Sequence, residues 1–287
     1  MQDPTLLGSV QIEKKYIELP SASHLCLGGQ FGVHGGQGKL QLMKSFDISK
    51  FGVRIYRGCL TQNHQLLLSD YNEKVLHLCD IDGSNNQYIQ LDYDPHSVSR
   101  YDKDMAIVTG VYDCVFQFIN LSSSTPGKKI KTGGGCYGIC CWNSQIWIDT
   151  GGNTLSLFNI TGNRSQQIQT SFDPGDICVD NDGILYCCDF NNDAIYAIED
   201  GKERLLYRGS DLKVPAAIAA DGTCFIYVAG SETHNVYKIS SDGKVHEIVL
   251  GPDDGINRPW GLSYDNETRQ LMVINNGGQS VSVFKVN

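Results

Sequence analysis

Long apolar runs are missing from this chain. No window of 18 or more apolar residues occurs, so nothing in it reads as a membrane-spanning helix. Basic residues are scarce, with 23 Lys and Arg against 32 Asp and Glu. The resulting net charge of −9 argues against a surface built to hold phosphate backbones. Cysteines at zinc-knuckle spacing are also lacking. The eleven cysteines include no Cys-x-x-Cys pair, which disfavours a tetrahedral zinc site, and their odd number disfavours a disulfide framework. They are expected to be reduced thiols acting as small core residues. The neighbours Cys140–Cys141 and Cys187–Cys188 should point to opposite faces of their strands. The start, Met1-Gln-Asp-Pro, has neither the basic nor the apolar part of a signal peptide. The expectation is a cytoplasmic chain, with the sequons at Asn120, Asn159, Asn163 and Asn266 arising by chance.

Glycine is plentiful, at 31 of 287 residues, while charged residues make up only 19 %. That balance suits many short strands joined by tight turns. The segment Pro174–Ile198 shows the unit most clearly: an apolar strand, an Asp-Gly turn, a second strand, a polar turn and a third alternating strand. A fourth strand follows at Glu203–Tyr207. The same grammar recurs, with first strands centred on Leu60, Val98, Ile139, Ile177, Ile218 and Leu262, at intervals of 38, 41, 38, 41 and 44 residues. Four-stranded units cannot bury both of their faces alone, so six of them are expected to stack around an axis as a six-bladed β-propeller.

The sixth unit ends after its third strand, Ser280–Val286, whereas Leu40–Phe46 is an alternating strand with no unit of its own. It is expected to supply the missing outer strand of the last blade and so remove an open edge. On this reading residues 38–287 are the all-β propeller, and residues 1–37 a linker or capping segment.

Arg258-Pro-Trp-Gly-Leu-Ser-Tyr-Asp265, Asp173–Asp180 and Val214–Asp221 resemble the first part of an NHL repeat, so the chain is similar to the NHL-repeat propellers. Lys131-Thr-Gly-Gly-Gly-Cys-Tyr-Gly-Ile139 and Asn257–Leu262 add a resemblance to the C-terminal propeller of invertebrate, especially molluscan, tripartite-motif and B-box proteins. That resemblance implies a target-recognition domain of a ubiquitin ligase or adaptor, with no chemistry of its own and with the RING and B-boxes on other segments.

In a propeller the loops leading into first strands share one face with the loops between second and third strands. Two residues before each first-strand centre, the mouth ring is expected at Gly58, His96, Tyr137, Gly175, Ala216 and Trp260. The second-to-third loops add Tyr71, Tyr112, Asp113, Phe190, Asp193, Glu232, His234 and Asn276. Aromatics at loop positions are candidate anchors for a partner, although Tyr137 and Trp260 suit packing wedges between blades equally well. These loops carry thirteen acids, Asp176 among them, against the five bases Arg54, Arg57, Lys74, Lys213 and Arg258. An acidic face favours a basic or mixed-charge polypeptide over RNA. The acids also suit turn capping and solvation.

The leading expectation is therefore a non-catalytic, monomeric interaction module that needs no cofactor and no metal. An RNA-binding propeller is the alternative. A metal-dependent hydrolase or lyase is the second, with His96 and His234 the only mouth histidines.

Overall fold

A computed structural model describes residues 40–48 and 54–287 of the chain. Residues 1–37, read above as a linker or cap, lie outside the described residues. The described part is all-β, with 24 strands in six four-stranded antiparallel sheets. Blade 1 is β2 (Ile55–Leu60), β3 (Gln65–Asp70), β4 (Val75–Asp80) and β5 (Gln87–Gln90). Blade 2 is β6 (Val98–Arg100), β7 (Met105–Gly110), β8 (Val115–Asn120) and β9 (Thr125–Lys131). Blade 3 is β10 (Ile139–Trp142), β11 (Gln145–Asp149), β12 (Thr154–Phe158) and β13 (Arg164–Gln169). Blade 4 is β14 (Pro174–Val179), β15 (Leu185–Asp189), β16 (Ala194–Glu199) and β17 (Lys202–Arg208). Blade 5 is β18 (Pro215–Ala220), β19 (Phe225–Gly230), β20 (Asn235–Ser240) and β21 (His246–Leu250). Blade 6 is β22 (Gly261–Asp265), β23 (Gln270–Asn275) and β24 (Ser280–Lys285), completed outside by β1 (Gln41–Asp47).

The closure is therefore as the sequence suggested. β1 runs antiparallel to β24 from Gln41↔Lys285 to Asp47↔Ser280. The Phe46 ring lies so close to Gly83 of blade 1 that a Cβ there would sit 2.5 Å from it. The orphan strand thus leans on the first blade while pairing with the last.

Apolar residues fill the gaps between blades rather than one central core. Six separate clusters occupy the six gaps, the last uniting Leu60, Leu66 and Leu68 of blade 1 with Met272, Ile274 and Val281 of blade 6. The inner strands are therefore buried on both faces and read as near-continuous apolar runs. Adjacent cysteines follow the pleat. Cys187 packs toward blade 3 and Cys188 toward blade 5, and Cys140 and Cys141 likewise join different clusters. The ten cysteines among the described residues are free thiols, and burial pushes Cys59, Cys136 and Cys141 up to about 12.

Candidate functional site

One face of the ring carries the lead-in to every first strand and the turn after every second strand. Together they line a cavity of about 600 Å³ at the mouth of the central channel. The lead-in residues around it are Tyr56, His96, Tyr137, Gly175, Ala216 and Trp260. Five of these are the positions expected from the repeat; in blade 1, Tyr56 stands where Gly58 was expected. The register gives the reason. Gly58 pairs with Leu68 as Val98 pairs with Val108 and Leu262 with Val273, so Gly58, not Leu60, is the centre of its strand. A Cβ at Gly58 would lie 2.7 Å from Leu68 Cδ2 and 2.9 Å from the Leu67 carbonyl. Neighbouring atoms fill the site that Val, Ile or Leu takes in other blades, and the apolar signature is displaced by two residues.

Tyr56 turns out to be the hub of an aromatic cluster that sequence reasoning did not assemble. Its ring centroid is 4.5 Å from His96, 6.0 Å from Trp260 and 6.1 Å from Tyr71. Tyr71 continues to Tyr112 at 6.3 Å, and His96 to Tyr137 at 6.0 Å. The cluster thus spans blades 6, 1, 2 and 3. Tyr112 is 76 % exposed at its end, and Tyr137 is 40 % exposed. A seventh ring, Phe190 in the turn after β15, is half exposed and lines the cavity from blade 4. His96 donates from Nδ1 to the Tyr137 carbonyl at 3.3 Å. Burial first, and the Arg57 charge second, hold this imidazole at about 3, so it is neutral at physiological pH.

Arg57 forms the floor. Its Nη1 donates to the carbonyls of Trp260 at 2.6 Å and Tyr56 at 3.1 Å, and its Nη2 to that of Ala216 at 2.8 Å. Nε faces Asp176 Oδ1 at 3.8 Å, a charge contact longer than a hydrogen bond. Asp176 is buried, and its Oδ2 accepts from the Ile218 N–H at 3.1 Å. Burial pushes this carboxyl up, while Arg57 pulls it back. The pair ties blade 1 to blades 4, 5 and 6 and separates the mouth cavity from a second one of about 200 Å³ deeper in the channel. Arg57 is thus a channel plug whose Nη donors are engaged by carbonyls of three blades, while Nε meets Asp176 only by charge.

The acids divide similarly. Asp70, Asp149 and Asp189 end second strands and accept turn N–H groups two or three residues on, at 2.9–3.1 Å. Asp193 holds Lys213 Nζ and the Val214 N–H, both at 2.8 Å. His234 Nδ1 accepts from the Arg258 N–H at 3.0 Å, and Asn276 bonds Ser280 and Asn257. Asp193, His234 and Asn276 have φ of 52–54°, which polar residues in such turns tolerate. Asp113 and Glu232 are exposed on the rim. Much of the acidic excess is therefore committed to turns and ion pairs. Among the described residues, no group of three or more His, Cys, Asp or Glu side chains is placed to hold a metal ion. No helix there is long and apolar enough to cross a membrane.

The fold and mouth define the class: a six-bladed β-propeller closed by its first described strand. No family model matches the chain, and no curated protein sequence does. Solved structures do match. A structural genomics protein of unknown function from Bacteroides thetaiotaomicron is 14 % identical over 82 % of this chain and 70 % of that one, with a TM-score of 0.71. A streptogramin B lyase is 14 % identical over 87 % of this chain and 88 % of that one, at 0.62. Virginiamycin B lyase from Staphylococcus aureus is 12 % identical over 87 % and 89 %, at 0.63. At such identities these structures share the fold alone.

Proposed function

We propose that this propeller is a non-catalytic interaction module that docks a polypeptide of basic or mixed charge on its aromatic mouth. The setting that suits it is target recognition in a tripartite-motif-like ligase or adaptor, the NHL-like repeats being the ground for that comparison. The observation that carries the reading is the continuous chain of rings from Trp260 through Tyr56, Tyr71 and Tyr112 to an exposed end. Exposed aromatics braced by neighbouring rings are what partners use as anchors, because they bury large area at small entropic cost. The lyase-type alternative finds no support in the donor set described above. RNA bases could stack on the same rings, but the plug guanidinium is already engaged by carbonyls.

Selection of displayed random peptides on the full chain tests the proposal, with Tyr112→Ala/Phe190→Ala as counter-target. Enriched peptides should lose at least about tenfold in affinity on the variant, as loss of a binding hot spot does. Peptides that bind the variant equally, or salt-resistant capture of single-stranded RNA in filter binding, would refute it.

A further inference from the structure

Between blades 3 and 4 the mouth cavity has a glycine-lined slot, with Gly151, Gly152 and Gly175 on its wall. A Cβ on Gly152 would meet nothing within 4 Å. One on Gly175 would meet only the Cys188 carbonyl at 3.5 Å and Phe190 Cβ at 3.9 Å. The exposed rings of Tyr137 and Phe190 flank these glycines, Tyr137 lying 3.3 Å from a Cβ on Gly151. Asp149 and Asp173 both line this cavity, Asp173 exposed and Asp149 buried with Oδ1 on the Gly151 N–H. Neither takes part in an ion pair among the described residues, although Asp176, Asp193 and Asp92 all do. Burial pushes Asp149 up to about 7 against the pull of the Gly151 N–H, and the Asp173 charge adds a smaller upward push. Of the arginines on the cavity, Arg57 reaches blade 4 but is held there by Asp176 and by the carbonyls of blades 5 and 6, and Arg258 precedes blade 6, opposite blade 3 in the ring.

We propose that this slot seats one lysine or arginine side chain of the polypeptide partner, its stem between Tyr137 and Phe190 and its charged end toward Asp173. The inference rests on the docking function proposed above and names its specificity. Two rings with a carboxylate base suit a long cationic side chain on three grounds. The rings attract the charge, the stem gains apolar contact, and the exposed Asp173 carboxylate receives its donors. A short or acidic side chain would leave the slot unfilled or add a like charge.

The probes are the capped tripeptides acetyl-Gly-X-Gly-amide with X as lysine, arginine, norleucine or glutamate, titrated into the full chain and followed by NMR. Lysine and arginine probes should bind at least about tenfold more tightly than norleucine or glutamate, a gap of the size that cation–π and ionic contacts give. Asp173→Asn should weaken the lysine probe several-fold. Gly175→Leu, whose position on the slot wall has room for a side chain, should abolish binding with the melting temperature retained. Equal binding of norleucine and lysine, unchanged lysine binding by Gly175→Leu, or no binding of any probe overturns the proposal. The displayed-peptide selection separates the two ideas. Peptides that need Tyr112 and Phe190 yet lack Lys and Arg would keep the docking face and remove the cation slot.

Discussion

Replacing Arg57 with leucine would leave Asp176 buried opposite an apolar side chain and strip donors from the carbonyls of Tyr56, Ala216 and Trp260. Removing one partner of a buried pair costs about 3–5 kcal/mol, because the other charge stays desolvated. For a domain of this size each kcal/mol lowers the melting temperature by about 2–4 °C, so the fall should be about 6–20 °C. Arg57→Leu/Asp176→Leu removes both charges together, and should be markedly less destabilised than the sum of the two single variants. The sign with pH follows from the same contact. Arg57 is what lowers the Asp176 carboxyl against the upward push of burial. Without it that carboxyl rises further, the folded state holds its proton more tightly, and the deficit of Arg57→Leu should shrink as pH falls. Thermal melts followed by circular dichroism, with urea titrations at two pH values, read all of this. A fall below about 2 °C, or strictly additive single variants, would refute the channel-plug argument.

Asp149 offers a second titration. Its folded carboxyl stands near 7 against an unfolded value of about 3.9, so the folded state binds the proton better and stability declines as pH rises from about 4 to above 7. Asp149→Asn, which keeps an acceptor for the Gly151 N–H, should raise the melting temperature at pH 8 and leave it unchanged at pH 4; equal effects at both would contradict the assignment. Deleting residues 40–46 removes the β1–β24 ladder and the Phe46 contact on Gly83. The whole ring should then melt cooperatively, with about 3–5 kcal/mol less stability at roughly 1 kcal/mol per net hydrogen bond. An unchanged melting curve would show that blade 6 does not depend on β1. Gly58→Val should cost about 1–3 kcal/mol by overpacking against Leu68, and a neutral result in urea titration would mean that the gap there can open.

The repeat was legible because its inner strands are buried on both faces. Their apolar runs at a forty-residue spacing put the expected centres Val98, Ile139, Ile177, Ile218 and Leu262 inside β6, β10, β14, β18 and β22. Outer strands carry less information, since one edge faces solvent. The last strand of blade 2, Thr125–Lys131, is exposed over most of its length and holds Pro126 at an edge where a missing N–H leaves no partner unsatisfied. At the site, five of six ring positions followed from the spacing alone, and the sixth was hidden by the glycine at the centre of β2. The charge of the face was harder to read. An aspartate that caps a turn, such as Asp189, and one that meets solvent, such as Asp113, are the same letter in the sequence. Only the burial and partners of Asp149, Asp176 and Asp193 reveal which carboxylates are already committed. Tyr56 and Asp149 were therefore missed, though a register set by Gly58 would have exposed the first.

The direction of β1 has a mechanical corollary. Because Gln41 lies opposite Lys285, tension applied across those two residues pulls β1 and β24 apart from the same end. The load would fall on one rung of the ladder at a time, as on the slider of a zipper, and never on all rungs in shear. A chain tethered at both sides of this seam should yield at low force, beginning with the outermost strand of blade 6. The same ring, stressed between two inner strands buried on both faces, should hold far longer.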